Sequence, residues 1–139
     1  MGIWAHGAFE NDDALDWIGE LETARDGAVL AKAFDAVSQA RQGEIDVSSA
    51  ATALAAAEVV AALAGRPQMD LPEEVTAWVA GQQPPRLELL AQAQHVAQRV
   101  MHDSELRDRW AESGDETGWQ LEVAGLLRRL HEAAVEGFE

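Results

Sequence analysis

The apolar residues of this chain recur with the period of an α-helix along almost the whole sequence, and the alternation typical of β-strands is nearly absent. Asn11 or Asp12 can cap a first helix, because either side chain can accept a hydrogen bond from a free N–H group of the first turn. The apolar face of this helix consists of Ala14, Trp17, Ile18 and Leu21. The pattern therefore predicts a helical protein.

The next two helices differ in how much of their surface is apolar. The second is predicted from a cap at Thr23 or Asp26 to an end at Gly43. Its inward side chains are Leu30, Ala33, Phe34 and Val37. The third begins at Ser48 or Ser49 and is apolar on nearly all sides. Such a helix belongs in the centre of a fold, and its many alanines allow neighbouring helices to pack closely.

Four more helices follow. Pro72 suits the first turn of a fourth helix, and the segment QQPP separates it from a fifth over residues 87–102. Asp103 or Ser104 caps a short sixth helix. The apolar stripe of the last consists of Trp119, Val123, Leu126, Leu127, Leu130 and Ala134. We therefore predict an all-α fold: a single domain over residues 1–139, with about seven helices around the alanine-rich one and the N-terminal arm packed on the core.

Composition narrows the function classes. The chain has 139 residues, no cysteine, no apolar run long enough to span a membrane, and no basic leader before an apolar stretch. These features predict a soluble cytoplasmic protein without disulfides or thiol chemistry.

The charge balance favours one kind of partner. Acids outnumber bases by 25 to 10, a formal net charge of −15, which disfavours nucleic acid and anionic membranes and favours encounter with a basic protein. The common nucleotide-binding, hydrolase and metalloprotease motifs are absent. We therefore expect a non-enzymatic, immunity- or antitoxin-like binding protein, a monomer or homodimer, that requires neither a cofactor nor a metal.

The opening stretch supplies three candidate binding residues, Trp4, His6 and Phe9. Large aromatic side chains are usually part of a core, so the arm can be a plug that buries the rings of Trp4 and Phe9. Alternatively, these residues and the neighbouring acids line a pocket. The sequence favours the plug and leaves the pocket open.

Asp12, Asp16 and Glu20 lie four residues apart and share one helical face. Such a face is usually solvated, although three carboxylates can also bind a hard cation such as magnesium or calcium. Asn11, Asp12 and Asp16 are therefore further candidate binding residues, and Asn11 has the alternative role of a helix cap.

Glu58 is the candidate catalytic residue, because it stands among apolar neighbours in LAAAEVVAAL. A buried carboxylate needs a partner or a proton. It is either a structural anchor or a general acid or base, in an enzyme that acts on a small molecule or depends on a metal and uses Glu58 with the Asp12/Asp16 face.

Two histidines and two tryptophans offer further, weaker signals. His95 and His102 share a face of the fifth helix but stand about 10 Å apart by the helical rise, too far to chelate one metal ion alone. Trp78 or Trp110 would form a dimer patch if its ring were exposed, which would make the chain a structural subunit.

The opening residues resemble the N-terminal signature of an uncharacterised bacterial family, DUF4259, whose members typically begin W-G-x-G-x-F-x-N-D-x-A-x-D-W. Ala5 stands where that pattern often has glycine. The resemblance continues through ALAAAEVVAALAG, LPEEVTAWV and SELRDRW…GW…LRRL. It implies a small, mostly helical bacterial domain and supplies no activity, substrate or catalytic residue.

Overall fold

A computed structural model describes residues 6–136, and it confirms the predicted all-α architecture. Within that range the chain forms seven helices and no strand. They are α1 (Asp12–Thr23), α2 (Ala28–Ser38), α3 (Val47–Leu63), α4 (Glu73–Ala80), α5 (Leu87–His102), α6 (Glu105–Ser113) and α7 (Glu116–Glu136). No helix of this range is both long and apolar enough to cross a membrane.

The alanine-rich helix α3 is the centre of the bundle, as predicted. Each of the other six helices contacts it, and its side chains are buried on all sides from Ala53 to Ala62. Alanine has the smallest side chain that still favours a helix, so neighbouring backbones can approach α3 from every direction. Because α3 contacts every other helix, a charged side chain in its buried middle is surrounded by neighbouring helices and shielded from water.

The described part of the N-terminal arm packs on this core. Phe9 is buried, and Ala8 packs against the same cluster of side chains. The aromatic residues of α1, α2 and α7 join that cluster through Trp17, Phe34 and Trp119. Trp4 lies outside the described residues. The packing of Phe9 and Ala8 attaches the described part of the arm to the core.

Three helix boundaries differ from the predicted ones. The helix α2 ends at Ser38, and Gly43 lies beyond it in a left-handed turn with φ of 81°. Gly43 donates its N–H to the carboxylate of Asp103 at 3.1 Å, so the glycine serves a turn between helices. The end of α2 is instead satisfied by Arg99, which donates to the carbonyl oxygen of Val37 at 2.6 Å.

The starts of α2 and α3 also differ. Gly27 precedes α2, and Asp26 accepts a hydrogen bond from the Ala28 N–H at 3.0 Å from just outside the helix. Asp46, two residues before Ser48 and three before Ser49, is the cap of α3 and accepts the Ser49 N–H at 2.7 Å. A carboxylate there satisfies a free N–H and also interacts favourably with the helix dipole, which serine cannot do.

Trp78 is buried and donates its indole N–H to the carbonyl oxygen of Ala24 at 3.0 Å. This hydrogen bond joins α4 to the residue that follows α1. The ring therefore contributes to the core and offers no exposed patch to a second copy of the chain.

Candidate functional site

A narrow pocket lies beneath residues 6–11, where the N-terminal segment meets α3, α6 and α7. Its polar side chains come from His6, Asn11, Glu58 and Glu122, and its aromatic wall from Trp110 and Trp119. The free space is about 20 Å³, which accommodates roughly one water molecule. The pocket is therefore closed to a metabolite in this conformation.

Asn11 shapes the turn that leads into this pocket. Its Oδ1 accepts the Ala14 N–H at 2.8 Å, and its Nδ2 donates to the Ala8 carbonyl oxygen at 3.1 Å. The side chain thus caps α1 and fixes the preceding turn at the same time. Asn11 is buried, and a polar side chain is tolerated at this position because both ends of its amide are hydrogen-bonded.

Replacing Asn11 with alanine is expected to lower the free energy of unfolding by about 1–2 kcal/mol, because both bonds are lost together. Asn11→Ser retains a cap acceptor and loses the donor to Ala8 without adding a buried charge, so it should be less destabilising. Chemical denaturation of the two variants measures this difference. Equal stability of Asn11→Ala and the unchanged protein would contradict the assigned cap.

His6 fixes the arm to the beginning of α7. Its Nε2 pairs with the carboxylate of Asp115, and its ring meets the indole of Trp110 edge-on with centroids 4.8 Å apart. The ring occupies the space that a side chain at Gly118 would need: a Cβ built there would lie 2.9 Å from His6 Nε2. Glycine at this helical position therefore makes room for the histidine.

Substitution of Gly118 by alanine is expected to displace the His6 ring and break its pairing with Asp115. The matched control is Gly125→Ala on the same helix, where an added Cβ meets open space and should stabilise by up to about 1 kcal/mol. Gly118→Ala should stabilise the protein less than Gly125→Ala does. When His6 is also replaced with alanine, Gly118→Ala should stabilise it as much as the control. NMR resonances of the His6 ring report the displacement directly; unchanged resonances in Gly118→Ala would refute it.

Glu58 is buried, with 4 % of its surface exposed, and forms a two-pronged ion pair with Arg129 of α7. The two guanidinium nitrogens donate to the two carboxylate oxygens at 2.8 and 2.9 Å. One of them also donates to the carbonyl oxygen of Arg66 at 3.2 Å. The hydrogen bonds to Glu58 raise the pKa of Arg129, outweighing burial, with a smaller contribution from the charge of Glu122.

This ion pair links three parts of the fold: the middle of α3, the turn after α3, and α7. Arg66 in turn pairs with Glu132 at 3.4 Å and with Glu136 near the end of α7. Both carboxylate oxygens of Glu58 accept hydrogen bonds from the permanently charged guanidinium of Arg129. This arrangement is typical of a structural anchor, whereas a general base needs a free oxygen to accept a proton.

The acidic face of α1 lies elsewhere. Asp12, Asp16 and Glu20 are exposed, and none of them lines the pocket that contains Glu58. Nearby Asp13 accepts the hydroxyl of Ser48 at 3.0 Å. Within residues 6–136 no group of three or more histidine, aspartate or glutamate side chains is arranged to hold a metal ion.

Four residues of the site were not identified from the sequence: Asp115, Gly118, Glu122 and Arg129. A signal existed for Arg129, since it lies between Leu126 and Leu130 and so borders the apolar stripe of α7. The contact between His6 and Asp115 joins residues 109 positions apart, and helical periodicity carries no information about it.

Comparison with known families agrees with the resemblance of the opening motif. The family described as Domain of unknown function (DUF4259) matches residues 2–122. The chain belongs to the DUF4259 family. No curated protein and no solved structure matches it.

The sequence segments that resemble DUF4259, apart from LPEEVTAWV, contribute side chains to the pocket. His6 and Asn11 come from the opening motif, Glu58 from the alanine-rich segment, and Trp110 and Trp119 from the two later motifs. Arg129, the partner of Glu58, lies beyond the matched range of the DUF4259 domain. The pocket is thus the place where the opening segment meets α3, α6 and α7.

Proposed function

We propose that this DUF4259 protein is a non-enzymatic binding module that recognises a basic protein in the bacterial cytoplasm, in the manner of an immunity protein or antitoxin. The proposal rests on the distribution of charge over the described surface. A chain without cysteine is suited to a reducing compartment, where disulfides do not persist.

The observation that carries the proposal is that five of the ten bases are occupied within the protein, while the acids of α1 form no ion pair with any described residue. Arg66, Arg107, Arg128 and Arg129 form ion pairs with acids of their own chain, and Arg99 caps α2. The helix α1 carries acids and no base, and in the described part of the chain none of its acids forms an ion pair. This leaves a negative surface that attracts a positively charged partner.

The alternative is an enzyme that uses Glu58 with the Asp12/Asp16 face. One observation favours it: Glu58 does line a pocket. Against it stand the small volume of that pocket, the ion pair with Arg129, and the position of Asp12 and Asp16 outside the pocket lining. The geometry therefore supports the binding module better.

The test begins with isolation of the full chain from its source cells, followed by reconstitution with any co-purified protein. Isothermal titration calorimetry should show affinity falling at least about tenfold between about 50 and 500 mM salt, because exposed charges are screened. Asp12→Asn/Asp16→Asn should reduce this salt dependence more than the matched control Glu105→Gln/Glu112→Gln on α6. Salt-independent affinity would refute the proposal.

A further inference from the structure

A surface groove separates α7 from the turn between α3 and α4. Leu121 and Gly125 form its α7 side, Met69 lies on the turn, and the volume is about 470 Å³. We call this the Met69–Leu121 groove. It adjoins the closed pocket, because Gly7 and Glu122 contribute to both. Unlike the closed pocket, it is large enough to receive side chains from another molecule.

The apolar side chains of the groove are the most exposed large hydrophobic residues in the described part of the chain. Met69 is fully exposed, at 100 %, and Leu121 is 69 % exposed. Gly125 lies one helical turn from Leu121, and a Cβ there would meet nothing within 4 Å. The floor of the groove at Gly125 is therefore open, and each wall carries an apolar side chain. This composition suits a site that receives an apolar group.

The rim of the groove is acidic. Glu10, Asp70 and Glu122 are exposed around it. Of its two bases, Arg129 is bound to the buried Glu58, and only Arg128 remains exposed, beside Glu132 at 3.5 Å. Three exposed acids therefore face one exposed base. Glu10 also lies two residues before Asp12, so the acidic rim continues into the first turn of α1. The electrostatic field at the groove thus favours a cationic occupant.

We propose that the Met69–Leu121 groove is the docking site for a segment of the basic partner in which apolar side chains are flanked by arginine or lysine. This inference rests on the proposed function and locates its contact surface. The charges select against a second copy of this chain, because two such rims would bring Glu10, Asp70 and Glu122 against their own equivalents. The apolar walls supply affinity, and the acidic rim supplies selection for the basic flanks.

The test uses the full chain, labelled with nitrogen-15, and a synthetic octapeptide with Leu-Met at its centre and arginine and lysine on both sides. Addition of the peptide should shift the amide resonances of Met69, Leu121 and Gly125. A peptide with Gly-Ser at its centre, and one with glutamate flanks, should each bind at least about tenfold more weakly, since each lacks one of the two recognition elements.

The matched variants are Leu121→Ala in the groove and Leu15→Ala on α1, where Leu15 is also exposed, at 44 %. Leu121→Ala should raise the Kd of the peptide about tenfold, and Leu15→Ala should leave it unchanged. Glu10→Gln/Asp70→Asn should weaken binding and reduce its salt dependence. Retained affinity in Leu121→Ala, no binding at all, or shifts confined to α1 would each overturn the groove assignment. Shifts confined to α1 with salt-dependent affinity would leave the proposed function intact.

Discussion

Replacing Glu58 with leucine is expected to lower the free energy of unfolding by about 3 kcal/mol, because the largely buried charge of Arg129 is then left without its carboxylate. Arg129→Met should be destabilising to a similar extent, since it strands the carboxylate of Glu58. The double variant Glu58→Leu/Arg129→Met removes both charges and replaces them with apolar groups of similar size. It should recover most of the loss.

Arg128 provides the matched control for this pair. It is the neighbouring arginine on α7, and its ion pair with Glu132 is largely exposed. Arg128→Met should therefore change stability by less than about 1 kcal/mol. Urea denaturation of the four variants measures the coupling free energy between Glu58 and Arg129. Additive losses in the double variant would show that the two residues act independently and would refute the anchor.

Truncation of Trp119 to alanine is the second large expected effect. The indole is 2 % exposed and forms part of both the core and the closed pocket. Its removal should lower the free energy of unfolding by about 3–5 kcal/mol, through lost burial and the cavity that remains. Leu121→Ala, two residues away on the exposed side of α7, should change stability by less than about 0.5 kcal/mol.

Added indole offers a check on the cause of that loss. If the effect of Trp119→Ala comes from an empty cavity, millimolar indole should raise the melting temperature of the variant and leave the unchanged protein unaffected, because a ligand that binds only the folded state stabilises it. Calorimetric melting measures both proteins under one protocol. A variant as stable as the unchanged protein would show that the ring is not a packing element.

The sequence was informative wherever local physics decides the structure. The spacing of Trp17 and Leu21, and of Phe34 and Val37, predicted which faces of α1 and α2 are buried, because a helix has a fixed period. The even distribution of apolar residues around α3 predicted its central position. The cap at Asn11 also followed from local chemistry, since its acceptor and the Ala14 N–H are three residues apart.

Contacts between distant segments could not be predicted in the same way. The sequence predicted that Glu58 needs a partner or a proton, but the choice of Arg129 as that partner depends on the packing of α7 on α3. The end of α2 was predicted wrongly because Gln39 and Gly43 both stand in polar surroundings, so the sequence does not show which of them ends the helix. The group that caps the end is Arg99, which comes from α5. The size of the closed pocket depends on His6, Trp110 and Gly118 together.

Native mass spectrometry of the chain isolated at low salt from its source cells tests the central claim most directly. The account predicts a complex with a basic polypeptide, which dissociates as the ammonium acetate concentration rises and is less abundant with Leu121→Ala. A chain that instead carries a stoichiometric metabolite or metal ion, with no bound polypeptide, would contradict the binding module and favour the enzyme alternative.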